Sequence, residues 1–60
     1  LQLDLNGNAE VNIYSAMGKL IFNQTISAQE NIKVEHWAKG LYLVEIKQGK
    51  YVNKEYFLKN

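Results

Sequence analysis

Along most of this chain apolar and polar residues trade places at every second position, the period of a strand with one buried face. Leu1-Gln2-Leu3-Asp4-Leu5 alternates strictly, Val11-Asn12-Ile13-Tyr14 takes the pattern up again, and Ile32-Lys33-Val34-Glu35 repeats it. Helical spacing is nowhere sustained. One stretch is apolar on both faces: in Gly40-Leu41-Tyr42-Leu43-Val44-Glu45-Ile46, Tyr42, Val44 and Ile46 share one side, and Leu41 and Leu43 the other. This is the composition of a central strand covered on both faces, at least near its start. The other segments are read as its partners.

Turn chemistry divides the chain. Asn6-Gly7-Asn8 predicts a turn, because Asn and Gly tolerate positive φ. Ser15-Ala16-Met17-Gly18 fits a type I turn ending in a left-handed glycine. With residues 15–18 as the loop, Ile13 faces Leu20 and Val11 faces Phe22, a register that sets apolar against apolar. Residues 19–26 then form a return strand and residues 27–31 a polar loop. Residues 36–39 bridge to the central strand, with Trp37 capping one end of the core. A two-residue loop at Gln48-Gly49 would set Lys47 against Lys50. A three-residue loop, which pairs Ile46 with Val52 and Tyr42 with Tyr56, is preferred. Residues 51–58 close the chain. The count is six strands and no helix, which predicts a small antiparallel β-sandwich.

Composition narrows the function classes. Sixty residues make one domain with a small core, and no cysteine is present to staple it. Seven lysines, no arginine and six acids give a net charge of +1. The charges alternate with apolar residues instead of clustering, so no nucleic-acid partner is expected. No apolar run reaches the roughly 18 residues of a membrane span, and these residues contain no signal-peptide pattern, which says nothing of a longer parent chain. The first residue is Leu1, so the chain is expected to be a segment or processed product of a longer protein.

Candidate chemistry is sparse. Ser15 or Ser27, His36 and Asp4 make a Ser/His/acid set on paper only, because neither serine has a nucleophile-elbow pattern around it and Ser15 is explained as a turn residue. His36 is the lone histidine, so a zinc site would need carboxylates alone beside it. Gly7, Gly18, Gly40 and Gly49 are scattered at turns and strand edges, with no following helix to complete a phosphate loop. No catalytic residue, metal ligand or cofactor site is therefore predicted. Most aromatics fit the core, with Tyr14 and Tyr51 left to sit outside. Asn23-Gln24-Thr25 matches the short N-glycosylation pattern. At the end of the chain, Lys54 and Lys59 flank Tyr56, Phe57 and Leu58. If this strand is an edge, its unpaired backbone is a docking surface for another protein; the residues alone favour an ordinary edge strand protected by its lysines.

Three pieces, in order, carry a resemblance. They are Val11-Asn12-Ile13-Tyr14-Ser15-Ala16-Met17-Gly18-Lys19-Leu20, then Trp37-Ala38-Lys39-Gly40-Leu41-Tyr42-Leu43-Val44-Glu45-Ile46, then Gly49 with Lys54-Glu55-Tyr56-Phe57-Leu58-Lys59. Together they resemble the type A C-terminal sorting domain of the type IX (Por) secretion system of Bacteroidetes. Gly18, Gly40, Tyr42, Val44 and Gly49 fall on that family's turn and core positions. Ser15 stands in place of the usual Asp, Lys19 in place of Arg, Trp37-Ala38 in place of Leu-Pro, and Glu55 where a second basic residue is common. The family's opening motif is missing, as if the chain began just after it.

The resemblance implies an immunoglobulin-like sandwich of about six to seven strands that performs no reaction. It implies an address at the C-terminus of a secreted cargo domain, exported through the periplasm to the outer membrane, cell surface or medium. The partners implied are the outer-membrane type IX translocon and a sortase-like peptidase that removes the domain. Lys54, Tyr56, Phe57, Leu58 and Lys59 become the candidate recognition residues. An exposed edge also allows strand exchange or edge pairing between copies. The alternative is a carbohydrate- or surface-ligand-binding sandwich of an extracellular enzyme.

Overall fold

The alternating stretches fold as one antiparallel sheet with a strap across one face. The computed structural model describes all 60 residues. Its strands are β1 (Gln2–Ser15), β2 (Leu20–Asn31), β3 (Gly40–Gln48) and β4 (Tyr51–Lys59), in the order β2-β1-β3-β4. The expected sandwich of six to seven strands is thus replaced by four strands in a single open sheet.

Two of the six expected strands disappear for separate reasons. Asn6-Gly7-Asn8 does not end a strand. Asp4 pairs with Gln29 and Asn8 with Ser27, so Leu5, Asn6 and Gly7 bulge out opposite Ala28 alone. Gly7 takes φ +100° and Ala28 φ +65° to accommodate the bulge. Three residues against one preserve the parity of the strand, so Leu3 before the bulge and Ala9, Val11 and Ile13 after it are all buried. The Gln48 amide donates to the Asn6 carbonyl at 2.9 Å and ties the bulge to the end of β3.

The second lost strand is at residues 32–35. Because β1 lies between β2 and β3, the connection from β2 must cross the sheet face to reach β3. Residues 32–39 make that crossing. Ile32, Val34 and Trp37 point down onto Leu3, Val11, Ile13, Ile26, Tyr42 and Val44. The alternation there records side chains inserted into a core, not a ladder. Ile32 exchanges backbone bonds with Leu1 at one end, and the Trp37 amide donates to the Val34 carbonyl at the other. Trp37 closes that end of the core as expected: its ring lies 5.3 Å from Tyr42 and 6.4 Å from Phe22.

Both hairpin registers differ from expectation. In the first, the Gly18 amide donates to the Ser15 carbonyl and the Ser15 amide to the Lys19 carbonyl, the Lys19 amide donates to Ser15 Oγ at 3.2 Å, and Gly18 takes φ +85°. Ile13 then faces Phe22 and Val11 faces Gln24, and Ile21 is left without a partner between the Ile13 and Tyr14 pairs. The glycine-ended turn and the extra residue at Ile21 together move the ladder off the expected register.

In the last hairpin the loop is Gly49-Lys50. Gln48 faces Tyr51, Ile46 faces Asn53, Val44 faces Glu55 and Tyr42 faces Phe57. Gly49 sits first in the two-residue loop at φ +57°, the positive φ that primed hairpin turns require there. The expected Tyr42–Tyr56 pairing is replaced by Tyr42–Phe57, with ring centroids 6.0 Å apart. Val44 against Glu55 is tolerated because β4 is an edge strand whose Glu55 side chain is exposed.

Candidate functional site

The register of β4 decides what this strand presents. Gly40↔Lys59 through Gln48↔Tyr51 form an unbroken ladder, and the other side of β4 has no neighbour. Residues flanking a two-residue turn form a hydrogen-bonded pair, and such pairs alternate with non-bonded ones. Tyr51, Asn53, Glu55, Phe57 and Lys59 therefore spend their backbone groups on β3. Val52, Lys54, Tyr56 and Leu58 turn theirs outward to solvent.

Side chains divide in the same way. Phe57 lies on the strapped face, packed beside Tyr42 against the core, and Lys59 shares its side. Lys54, Tyr56 and Leu58 lie on the open face, and Tyr56 and Leu58 are 74% and 61% exposed. The five candidate recognition residues thus do not converge on one face. They share an edge of backbone. The pattern residues have other places: Tyr42 and Val44 are buried in the core, and Gly18, Gly40 and Gly49 take positive φ at the ends of strands.

The open face has two zones. Tyr14, Leu43 and Tyr56 make a row across β1, β3 and β4, with Leu41 and Leu58 paired beyond it. A shallow cleft of about 490 Å³ lies over this zone, lined by Tyr14, Leu41, Leu43 and Tyr56 and edged by Glu45 and Lys54. The sequence expectation placed Tyr14 and Tyr51 outside. Tyr51 is 77% exposed, whereas Tyr14 is half-buried and Tyr56 takes the outer position.

Next to the apolar zone runs a polar row that the sequence did not reveal. Asn12 is only 5% exposed although it faces the open side. Its Nδ2 donates to Glu45 Oε1 at 3.2 Å, and Asn23 Nδ2 donates both to Asn12 Oδ1 and, at 3.0 Å, to Glu10 Oε2. Lys47 Nζ lies 3.7 Å from Glu45 Oε1. The chain links β2, β1 and β3 by side chains alone. Its only sequence signal is the alternation that puts Glu10 and Asn12 on one face of β1, and this cannot show that neighbours on both sides bury Asn12. The same bonds occupy Asn23, the residue of the glycosylation pattern.

The candidate Ser/His/acid set does not come together. Asp4 and Ser15 stand at opposite ends of β1, Ser15 Oγ is engaged in its turn, and His36 lies exposed in the strap. No three metal-ligating side chains come together.

The closing motif thus lies on an edge strand of the sheet. Compared with known families, residues 1–60 match the secretion system C-terminal sorting domain over their whole length. The chain belongs to that family. The sorting domain is thus a C-terminal signal of type IX secretion, and membership implies a fused cargo, contact with the secretion machinery, and export across the outer membrane to the cell surface or the medium. Among curated proteins and among solved structures, nothing matches.

Proposed function

We propose that the sorting domain acts as a folded address, catalysing nothing itself, that the outer-membrane translocon reads along β4. The observation that carries this reading is the unbroken outer edge of β4, where Tyr56 and Leu58 turn their backbone groups outward between Lys54 and Lys59. A strand of the receptor adds beside β4. Main-chain bonds supply affinity. Tyr56 and Leu58 on one face, with Lys54 and Lys59, supply selectivity, and Phe57 keeps β4 anchored on Tyr42. Cargo fused before Leu1 passes through the periplasm in this scheme, and a sortase-like peptidase removes the domain afterwards.

The test fuses residues 1–60, preceded by the family's opening motif, to a passive reporter in a Bacteroidetes host. Deleting residues 54–60 traps the reporter in the periplasm. Tyr56→Pro is the sharper variant. It removes an outward N–H and no ladder bond to β3, so the sheet persists while docking fails. Export that survives Tyr56→Pro overturns docking through the edge.

A second reading rests on the Tyr14-Leu43-Tyr56 row and its cleft, a platform on which a sugar ring would stack. It predicts that the isolated domain binds a glycan and that Tyr56→Ala abolishes binding without affecting export.

A further inference from the structure

We infer that β4 is self-complementary and that two copies of the chain pair along it, antiparallel, with Phe57 opposite Phe57 across a two-fold axis. This goes beyond the export reading and does not depend on it.

The argument is one of register. A second copy continuing the sheet must keep strapped face with strapped face, so odd residues of β4 face odd and even face even. Several registers satisfy that. One sets Glu55 against Glu55 and another Lys54 against Lys54, both like-charge pairs. A third centres on Tyr56 and leaves Lys54 facing Leu58 and Glu55 facing Phe57. Centring on Phe57 sets Glu55 against the second copy's Lys59, twice by symmetry. It is the one register that puts Glu55 directly across from a lysine. It also sets Tyr56 against Leu58 twice on the open face, covering two side chains that are 74% and 61% exposed.

The backbone phase agrees. Phe57 directs its own groups to β3, so Phe57 against Phe57 is a non-bonded pair, where side chains approach closest. The flanking Tyr56–Leu58 pairs are those whose groups point outward, and each exchanges two hydrogen bonds. The interface is short, far below the roughly 1,200–2,000 Å² of a stable complex. The pair therefore forms at high protein concentration and dissociates readily. It uses the same outward groups assigned above to the translocon, so pairing and docking exclude each other.

Sedimentation equilibrium of the 60-residue chain from micromolar to millimolar concentration tests the inference, with far-UV circular dichroism as the control for folding. The chain is expected to dimerise. Glu55→Lys or Lys59→Glu alone converts both attractive pairs to repulsive ones and weakens the dimer by roughly tenfold or more. Combining the two reversals restores it. In an oxidising mixture, Tyr56→Cys chains cross-link with Leu58→Cys chains faster than either variant does with itself. A chain that stays monomeric at millimolar concentration, a dimer indifferent to both single reversals, or cross-linking without preference for the mixture overturns the inference. Export by the reporter fusion is a separate readout, so failure here leaves the sorting proposal standing.

Discussion

Trp37→Ala puts the largest load on this fold. The strapped face has no second sheet over it, so water is kept from Val11 and Ile13, both 0% exposed, by the side chains of residues 32–39. Trp37 is the biggest of these and bridges Phe22 on β2 and Tyr42 on β3. Truncating a core aromatic to alanine costs about 3–5 kcal/mol. Trp37 is half-buried, so the lower end applies, about 3 kcal/mol. A chain of this length is stable by roughly 3–9 kcal/mol in all.

Urea unfolding followed by far-UV circular dichroism reads the effect. With a slope of about 1 kcal/mol per molar for so small a domain, the midpoint falls by about 3 M. At the low end of the stability range the variant does not fold at all. Trp37→Phe keeps part of the aromatic bridge and falls less. A midpoint that moves by less than about 1 M refutes the reasoning, because the strap would then not be what closes the core.

Three further variants test separate pieces. Tyr42→Phe removes the hydroxyl that donates to the Ala38 carbonyl and costs about 0.5–1.5 kcal/mol in the same urea assay, with the aromatic contacts to Trp37 and Phe57 retained. Gly49→Ala forces a side chain into a left-handed position and lowers stability by about 1–2 kcal/mol, although nothing lies within 4 Å of the added carbon. Asn12→Ala strips a partner from both Glu45 and Asn23 and costs about 1–3 kcal/mol, whereas Thr25→Ala on the exposed end of the same face stays within about 0.5 kcal/mol.

Strand identity was legible because it rests on local pattern. Residues 11–14, 40–47 and 51–58 lie within β1, β3 and β4 in the fold, whereas the edge position of the last strand entered the sequence reading only as a condition. What was not legible depends on chain far away in sequence. Asn6-Gly7-Asn8 has the chemistry of a hairpin turn, and only the partner strand, with Ala28 opposite, makes it a bulge. Ile32-Lys33-Val34-Glu35 alternates as a strand would, but the sheet order sends it across a face and gives it no ladder. The observed turn at Gly49-Lys50 lies one residue beyond the two-residue loop weighed at Gln48-Gly49 and shifts the register by one residue from the three-residue loop expected. That shift exchanges Tyr56 for Phe57 as the inward aromatic and so decides which candidate recognition residues reach solvent.

The two edges of the sheet differ in a way that supports placing the proposed recognition on β4. Residues 20–29 of β2 contain no charge, which would make that edge the stickier one on composition alone. Its backbone is broken, however: Ile21 has no partner and Ala28 is left-handed, so its outward groups fall out of phase with any straight strand laid beside it. That protection is built into the chain and no partner can remove it. β4 is regular from end to end and relies on Lys54 and Lys59 instead. A charge can be neutralised by an opposite charge, whether from a receptor carboxylate or from Glu55 of a second copy. The edge guarded by lysines is therefore the one that can be opened selectively, and it is also the one that bears the closing motif.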